Sequence, residues 1–302
     1  MKLRLAYAAA LVLAAGVSIA PGLSGAKPKP AAAAPLPPPS PPADADFRTP
    51  DPKDLLVIET TKGRVLVELN DVAAPQSTER VRALARQGFY DGRAFFRVID
   101  NFMDQTGDPL DTGMGQSSLP NLQPEFTFKR GPDTRFAPVF KSNGAEEGYL
   151  GSLPVVSQSM DLGLLTVDHR VDAWGTYCSG VLGMARADDP ASANSQFFLM
   201  RTNATSSDGG SHGLDKQYTA FGRVLAGQDV IDAIKTGEPV PQPQDKILSV
   251  KVLADLPEAS RPKVRVVDGS SAWAKAAILR AQAASTPVDF TVCDVKLPVE
   301  VK

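Results

Sequence analysis

Two runs of strand-forming residues, 55–60 (LLVIET) and 64–69 (RVLVEL), flank Thr61-Lys62-Gly63. Gly63 suits a tight turn, so the runs read as a β-hairpin. A hairpin holds in water only when further strands or a helix cover it, and the chain downstream offers both. A helix starts at Pro75-Gln76-Ser77-Thr78, with Val81, Leu84 and Ala85 on one face and Gly88 near its end. Short strands are expected at 95–99, 102–106, 181–186, 196–200 and 219–224. A second helix fits 228–235, and 247–253 is the last strong strand. This order predicts a mainly β protein: a closed or nearly closed antiparallel β-barrel capped by two α-helices.

The flanks read differently. Lys2 and Arg4 precede an apolar, Ala-rich run ending near Ala20, and Ser24-Gly25-Ala26 follows. That pattern reads as a signal peptide over 1–26. The run is shorter than the roughly 20 residues of a membrane span, and no Cys lies near its end. Residues 27–52 hold a Pro/Ala-rich stretch expected to be an extended linker. The folded domain is expected over 53–256 and a C-terminal extension over 257–302, with a helix at 271–284 and a strand at 288–295. Residues 107–180 carry scattered Gly and Pro. Within them, about 128–175 reads as an inserted loop region.

Charge excludes one class of function. Lys and Arg number 32 against 34 Asp and Glu, so the chain is not a dedicated nucleic-acid coat. With only two His (His169, His212) and two Cys (Cys178, Cys293), a His- or Cys-rich metal site and a disulfide-dense scaffold are also excluded. No G-x-S-x-G elbow, H-E-x-x-H pair or P-loop is present, and Gly113-Met114-Gly115 lacks the third Gly of a dinucleotide motif.

Three motifs remain. The first is FYDGRAFFRVIDNFMDQTGDP at 89–109. The second is GVLGMARA at 180–187 followed by NSQFFL at 194–199. The third is Leu214-Asp215 followed by FGRV at 221–224. Together they resemble, in order, the motifs of the cyclophilins, and the resemblance covers about 54–254. It implies an eight-stranded antiparallel barrel with two helices and peptidyl-prolyl cis-trans isomerase activity on proline-containing polypeptides.

The chemistry sets the demand on these residues. Rotation about an amide meets a barrier of about 18–20 kcal/mol, from the partial double bond. A catalyst must bind the twisted amide better than either planar form; it needs no nucleophile, metal or cofactor. The resemblance gives Arg97 the catalytic donor's place and Gln105 a polar place beside it. Phe102, Met103, Phe198 and Leu214 match the proline pocket, although barrel core would want the same side chains. Gln196 matches a position that holds the peptide backbone. Ala185 and Asn194 belong to the groove wall. The chain departs from the pattern at Phe96 (usually His), Gly213 (often Trp) and Tyr218 (often His). Tyr218 can still hydrogen-bond a substrate carbonyl. His212 reads as a loop residue, and His169 is assigned no role. Cys178 and Cys293 could pair in an oxidising compartment and tie the extension to the barrel, or remain free. The expected state is a periplasmic or secreted monomer, with no nucleic-acid partner, no membrane span after loss of 1–26, and no cofactor. The alternative on the same barrel is a proline-peptide-binding chaperone that catalyses little.

Overall fold

The computed structural model describes residues 40–142, 144–203, 213–285 and 290–302. The signal-peptide reading, the first half of the Pro/Ala-rich stretch (27–39) and His212 lie outside them. Within the stretch expected as linker, β1 (Phe47–Arg48) is already a strand.

The hairpin is β2 (Leu55–Thr60) and β3 (Gly63–Leu69), paired from Leu55↔Glu68 to Thr60↔Gly63. Its apolar residues run continuously because both faces are covered. Leu56, Ile58, Val65 and Val67 face one buried cluster, and Leu55, Val57 and Leu66 face another. Helix α1 (Pro75–Arg86) follows, with Pro at its first turn. Ala74 offers no capping side chain, so Glu125 caps the helix from a distance. Its carboxylate accepts from Gln76 N (2.8 Å), Ser77 N (2.9 Å) and Ser77 Oγ (2.7 Å). Val81, Leu84 and Ala85 enter the same cluster as Val65 and Val67.

Next come β4 (Arg97–Ile99) and β5 (Met103–Thr106). The region read as inserted loops is instead a five-stranded antiparallel sheet. It comprises β6 (Phe128–Arg130), β7 (Phe136–Ser142), β8 (Ala145–Leu150), β9 (Leu153–Gln158) and β10 (Val171–Gly175), in the order β6-β10-β9-β8-β7. The loop expectation fails because the inward face of this sheet is partly charged. Arg130 and Glu146 are both buried and pair at 2.7 Å, so the strands do not alternate cleanly in sequence.

The main sheet resumes with β11 (Val181–Met184), β12 (Phe197–Met200) and β13 (Ala220–Ala226). Then come the short helix α2 (Gln228–Asp232) and β14 (Ile247–Val252). Eight strands run in the order β14-β2-β3-β13-β11-β12-β5-β4. The closed barrel of the sequence reading takes the form of a curled, open sheet. Among the described residues no ladder joins β4 to β14; Ala94 bridges Lys246, and Val98 bridges Gly237.

The extension contributes β15 (Val264–Val267), α3 (Ala272–Ala284) and β16 (Val299–Val301). β15 lies between β1 and β16. Ser271 caps α3, with its Oγ accepting from Ala274 N at 3.1 Å. The strand expected at 288–295 begins outside the described residues, which omit 286–289; the described part, 290–295, is not a strand, and 292–294 form a single 3-10 turn capped by Thr291. That turn sets Val292 and Cys293 into a third cluster with Tyr149, Val155 and Tyr177, and Cys293 is disulfide-bonded to Cys178 (Cα–Cα 5.2 Å).

Candidate active site

β5 sorts its side chains by alternation. Asp104 and Thr106 point inward and are fully buried, whereas Met103 and Gln105 point to the outer face. Across the ladder, Phe198 lies opposite Gln105 and Met200 opposite Met103. On the other side Arg97 lies opposite Gln105. Three neighbouring strands therefore bring a cation, an amide and an aromatic ring to one patch.

The patch is a shallow cavity of about 170 Å³, lined by Arg97, Phe102, Met103, Gln105, Ala185, Arg186, Phe198, Leu214 and Tyr218. Phe198 forms one wall, stacked on Tyr177 at 5.7 Å and edge-on to Tyr218 at 5.9 Å. Gly183 makes room for it: a Cβ there would lie 2.3 Å from Phe198 Cζ and 2.8 Å from the Tyr177 hydroxyl. Tyr177 is fully buried, its hydroxyl has no partner among the described residues, and burial pushes its pKa well above the usual phenol value.

The loop carrying Leu214 and Tyr218 is tied to the end of β10. Asp215 Oδ1 accepts from Tyr177 N at 3.2 Å, and Lys216 Nζ sits 3.6 Å from the centre of the Trp174 ring. Burial raises the Asp215 pKa, against hydrogen bonds from Thr176, Tyr177 and Trp174. The inserted sheet thus supports the wall of the cavity.

Arg97 is held on two sides. Its Nε donates to Glu238 Oε1 at 2.5 Å and its Nη1 to Gln105 Oε1 at 3.3 Å. Gln105 Nε2 donates to Gln196 Oε1 at 3.0 Å, and Gln196 Nε2 donates to Gly113 O (3.1 Å) and Gly115 O (2.7 Å). The 110–115 loop that ends this relay is shaped by Asp108. Burial pushes its carboxyl up, but N–H groups of Leu110, Thr112, Gly115 and Gly113 outweigh burial and hold it below the usual carboxylate range. Arg97 Nη2 has no partner among the described residues.

Gln196 and Asn194 line a second cavity of about 230 Å³, whose lining shares Gln105, Ala185 and Arg186 with the first. Asn194 is buried and its amide is fully engaged. Its Oδ1 accepts from Ser117 N and Oγ, and its Nδ2 donates to Leu119 O and Asn121 Oδ1. It shapes the wall, and its side chain has no polar atom left for a ligand.

Three participants escaped sequence reasoning. Arg186 lines both cavities, with its guanidinium 4.5 Å from the centre of the Tyr218 ring; its place directly after Ala185 was the available signal. Tyr177 gave only an aromatic before Cys178. Glu238 is 141 residues from Arg97 in the chain, and no local pattern marks it.

The site is thus an arginine at the rim of a small, largely apolar cavity on a curled antiparallel sheet. The family model described as "Cyclophilin type peptidyl-prolyl cis-trans isomerase/CLD" matches residues 55–252. A "Probable peptidyl-prolyl cis-trans isomerase" of Brucella suis biovar 1 (strain 1330) is 30% identical over 221 residues, covering 68% of this chain and 85% of the relative. "Peptidyl-prolyl cis-trans isomerase cyp18" of Streptomyces antibioticus is 33% identical over 179 residues, covering 59% and 81%. Among solved structures, cyclophilin AquaCyp293 from Hirschia baltica matches with a TM-score of 0.75 at 32% identity, covering 84% of this chain and 93% of that one. The chain belongs to the cyclophilin-type peptidyl-prolyl cis-trans isomerases.

Proposed function

We propose that this protein accelerates rotation of X-Pro bonds in exported polypeptides, with Arg97 stabilising the twisted amide while the proline ring sits among Phe102, Met103, Phe198 and Leu214. In the planar amide the prolyl nitrogen shares its lone pair with the carbonyl. Twisting ends that conjugation and makes the nitrogen a hydrogen-bond acceptor. A donor aimed at it therefore favours the transition state over both ground states. Each ~1.4 kcal/mol of such preference gives about ten-fold in rate. Gln105, itself held by Gln196, keeps the guanidinium in place, and the Tyr218 hydroxyl is available to a substrate carbonyl.

The observation that carries this reading is the coincidence of Arg97 with an apolar cavity of about 170 Å³, small enough to select a ring over a long side chain. We read the curled sheet as acting like a closed barrel. The Ala94–Lys246 and Val98–Gly237 bridges support this, since they lie on either side of Arg97 and keep it from swinging with a free edge. The exported location is supported by the pattern of residues 1–26 and by the Cys178–Cys293 bond, which suits an oxidising compartment. The protein acts as a monomer on this reading, since one chain supplies every site residue named here.

A protease-coupled assay on an Ala-Pro-Phe peptide tests the proposal. Arg97→Ala is expected to lower kcat/KM by about 10²-fold with the fold intact, the usual cost of losing one transition-state donor. An unchanged rate would remove Arg97 from the mechanism. A wild-type rate no faster than background would leave a proline-binding chaperone.

A further inference from the structure

We propose that Glu238 is a positioning residue for isomerisation, fixing Arg97 so that Nη2 is the edge presented to the prolyl nitrogen. The inference rests on the reading of Arg97 given above.

The segment bearing Glu238 is fastened to β4 on both sides of Arg97. Val98 N donates to Gly237 O at 2.9 Å, Gly237 N to Val98 O at 2.8 Å, and Val240 N to Phe96 O at 3.0 Å. Glu238 lies between those contacts, as Arg97 lies between Phe96 and Val98. The turn is tight: a Cβ on Gly237 would meet Pro241 Cδ at 2.6 Å and Val240 Cα at 2.7 Å. Lys235 Nζ donates to Pro241 O at 2.9 Å, and Gln244 Nε2 to Val240 O at 3.1 Å. The carboxylate thus stands on a braced support.

The guanidinium is a planar fork with five N–H donors. Glu238 engages Nε and Gln105 engages Nη1. Two fixed points in one plane set its rotation, and the remaining nitrogen is Nη2. Without Glu238 the side chain would hang from Gln105 alone, through a longer contact of 3.3 Å. It would still reach the cavity but would sample orientations in which no N–H meets the twisted nitrogen. The loss belongs to the on-enzyme step and not to binding, because the apolar cup is untouched.

Stability offers little alternative explanation. The side chains of Arg97 and Glu238 are 37% and 56% exposed, and an exposed ion pair contributes little to folding. Exchange NMR on a saturating Ala-Pro peptide measures the on-enzyme interconversion rate, and titration of the same peptide gives Kd. Glu238→Ala is expected to slow interconversion about ten-fold, with Kd within about two-fold and Tm unchanged. Glu238→Gln, whose amide oxygen still accepts from Nε, is expected to recover most of the rate. An interconversion rate in Glu238→Ala within about two-fold of wild type overturns the proposal. So does a loss matched by weaker Kd or lower Tm, or one that Glu238→Gln leaves unrelieved. Arg97→Ala separates the layers: if it is active, the reading of Arg97 falls; if it is inactive while Glu238→Ala is active, only the positioning role falls.

Discussion

Asp104 and Gln105 are neighbours on one strand and face opposite environments. Gln105 looks out to the cavity, and Asp104 looks into the sheet, fully buried, with one oxygen 3.0 Å from Arg201 Nη1 and the other unpartnered among the described residues. Burial pushes the Asp104 pKa up to about 7, against the hydrogen bond and charge of Arg201. The unfolded chain has the ordinary Asp value of about 3.9. Between those two values the folded state holds a proton that the unfolded state has released. Stability from this group is therefore present at acid pH and lost as pH rises toward about 7, with a slope approaching ~1.4 kcal/mol per pH unit. Asp104→Asn keeps an oxygen for Arg201 and removes the titration. Urea unfolding from about pH 4 to 8 should show a shallower decline in the variant; identical pH slopes would refute it. The grouping of the site's side chains was legible through the family resemblance, which assigns each a place at one groove, and the ladders of β4, β5 and β12 bring them to one cavity. Arg97, Met103 and Gln105 all line that cavity. Asp104 was not legible as a buried acid, because its partner Arg201 comes from the end of another strand. Asn194 could be placed on the wall, yet nothing local says that its amide holds residues 117–121 in place.

At the scale of elements, the main-sheet strands announced themselves because their apolar residues meet one shared interior. The inserted strands did not. β8 reads AEEGYL, and both of its carboxylates find partners only after folding: Glu146 with Arg130, and Glu147 as acceptor for Val292 N at 2.8 Å. Burial raises the Glu147 pKa, with the Val292 N–H opposing it. Tyr149 on the same strand is fully buried, with its hydroxyl against Val292 O (3.0 Å) and Val295 O. Tyr149→Phe keeps the ring and deletes the hydroxyl, and is expected to lower unfolding free energy by about 1–2 kcal/mol. Denaturant midpoints measure this; no shift would mean that the extension is held by packing and the disulfide alone. The disulfide makes a larger prediction. It joins residues 115 apart in the chain, so it removes much freedom from the unfolded state. Replacing both cysteines by Ser should cost about 2–4 kcal/mol, read in the same titration. A double variant as stable as wild type would show that the extension needs no staple.

At the scale of the molecule, what matters is that one apolar cluster runs from the cavity beside Arg97 to the C-terminal extension. Met103, Phe198 and Leu214 belong to it, as do Tyr149 and Val155 of the inserted sheet and Ile278, Phe290 and Val292 of the extension. The described residues also fall in one compact unit. The rear wall of the cup is therefore continuous with segments that the motifs do not cover. Reading the sequence as a barrel with an appendix missed this, because it is a property of which faces meet and not of any one segment. A shared cluster predicts shared unfolding. The chain has two Trp residues, and they report on different parts. Trp174 lies on β10 beneath Lys216, beside the cup. Trp273 lies on α3, donating Nε1–H to Ser40 O at 2.6 Å. Trp273→Phe leaves fluorescence from the inserted sheet alone, and Trp174→Phe leaves it from the extension alone. Each substitution shifts stability by its own amount, so each variant is compared with its own loss of isomerase activity on heating. Fluorescence and activity should fall together in both variants. If the Trp273 signal melted while activity persisted, the extension would be a separately folding appendage, and the cup would owe its shape to the curled sheet and the insertion without it.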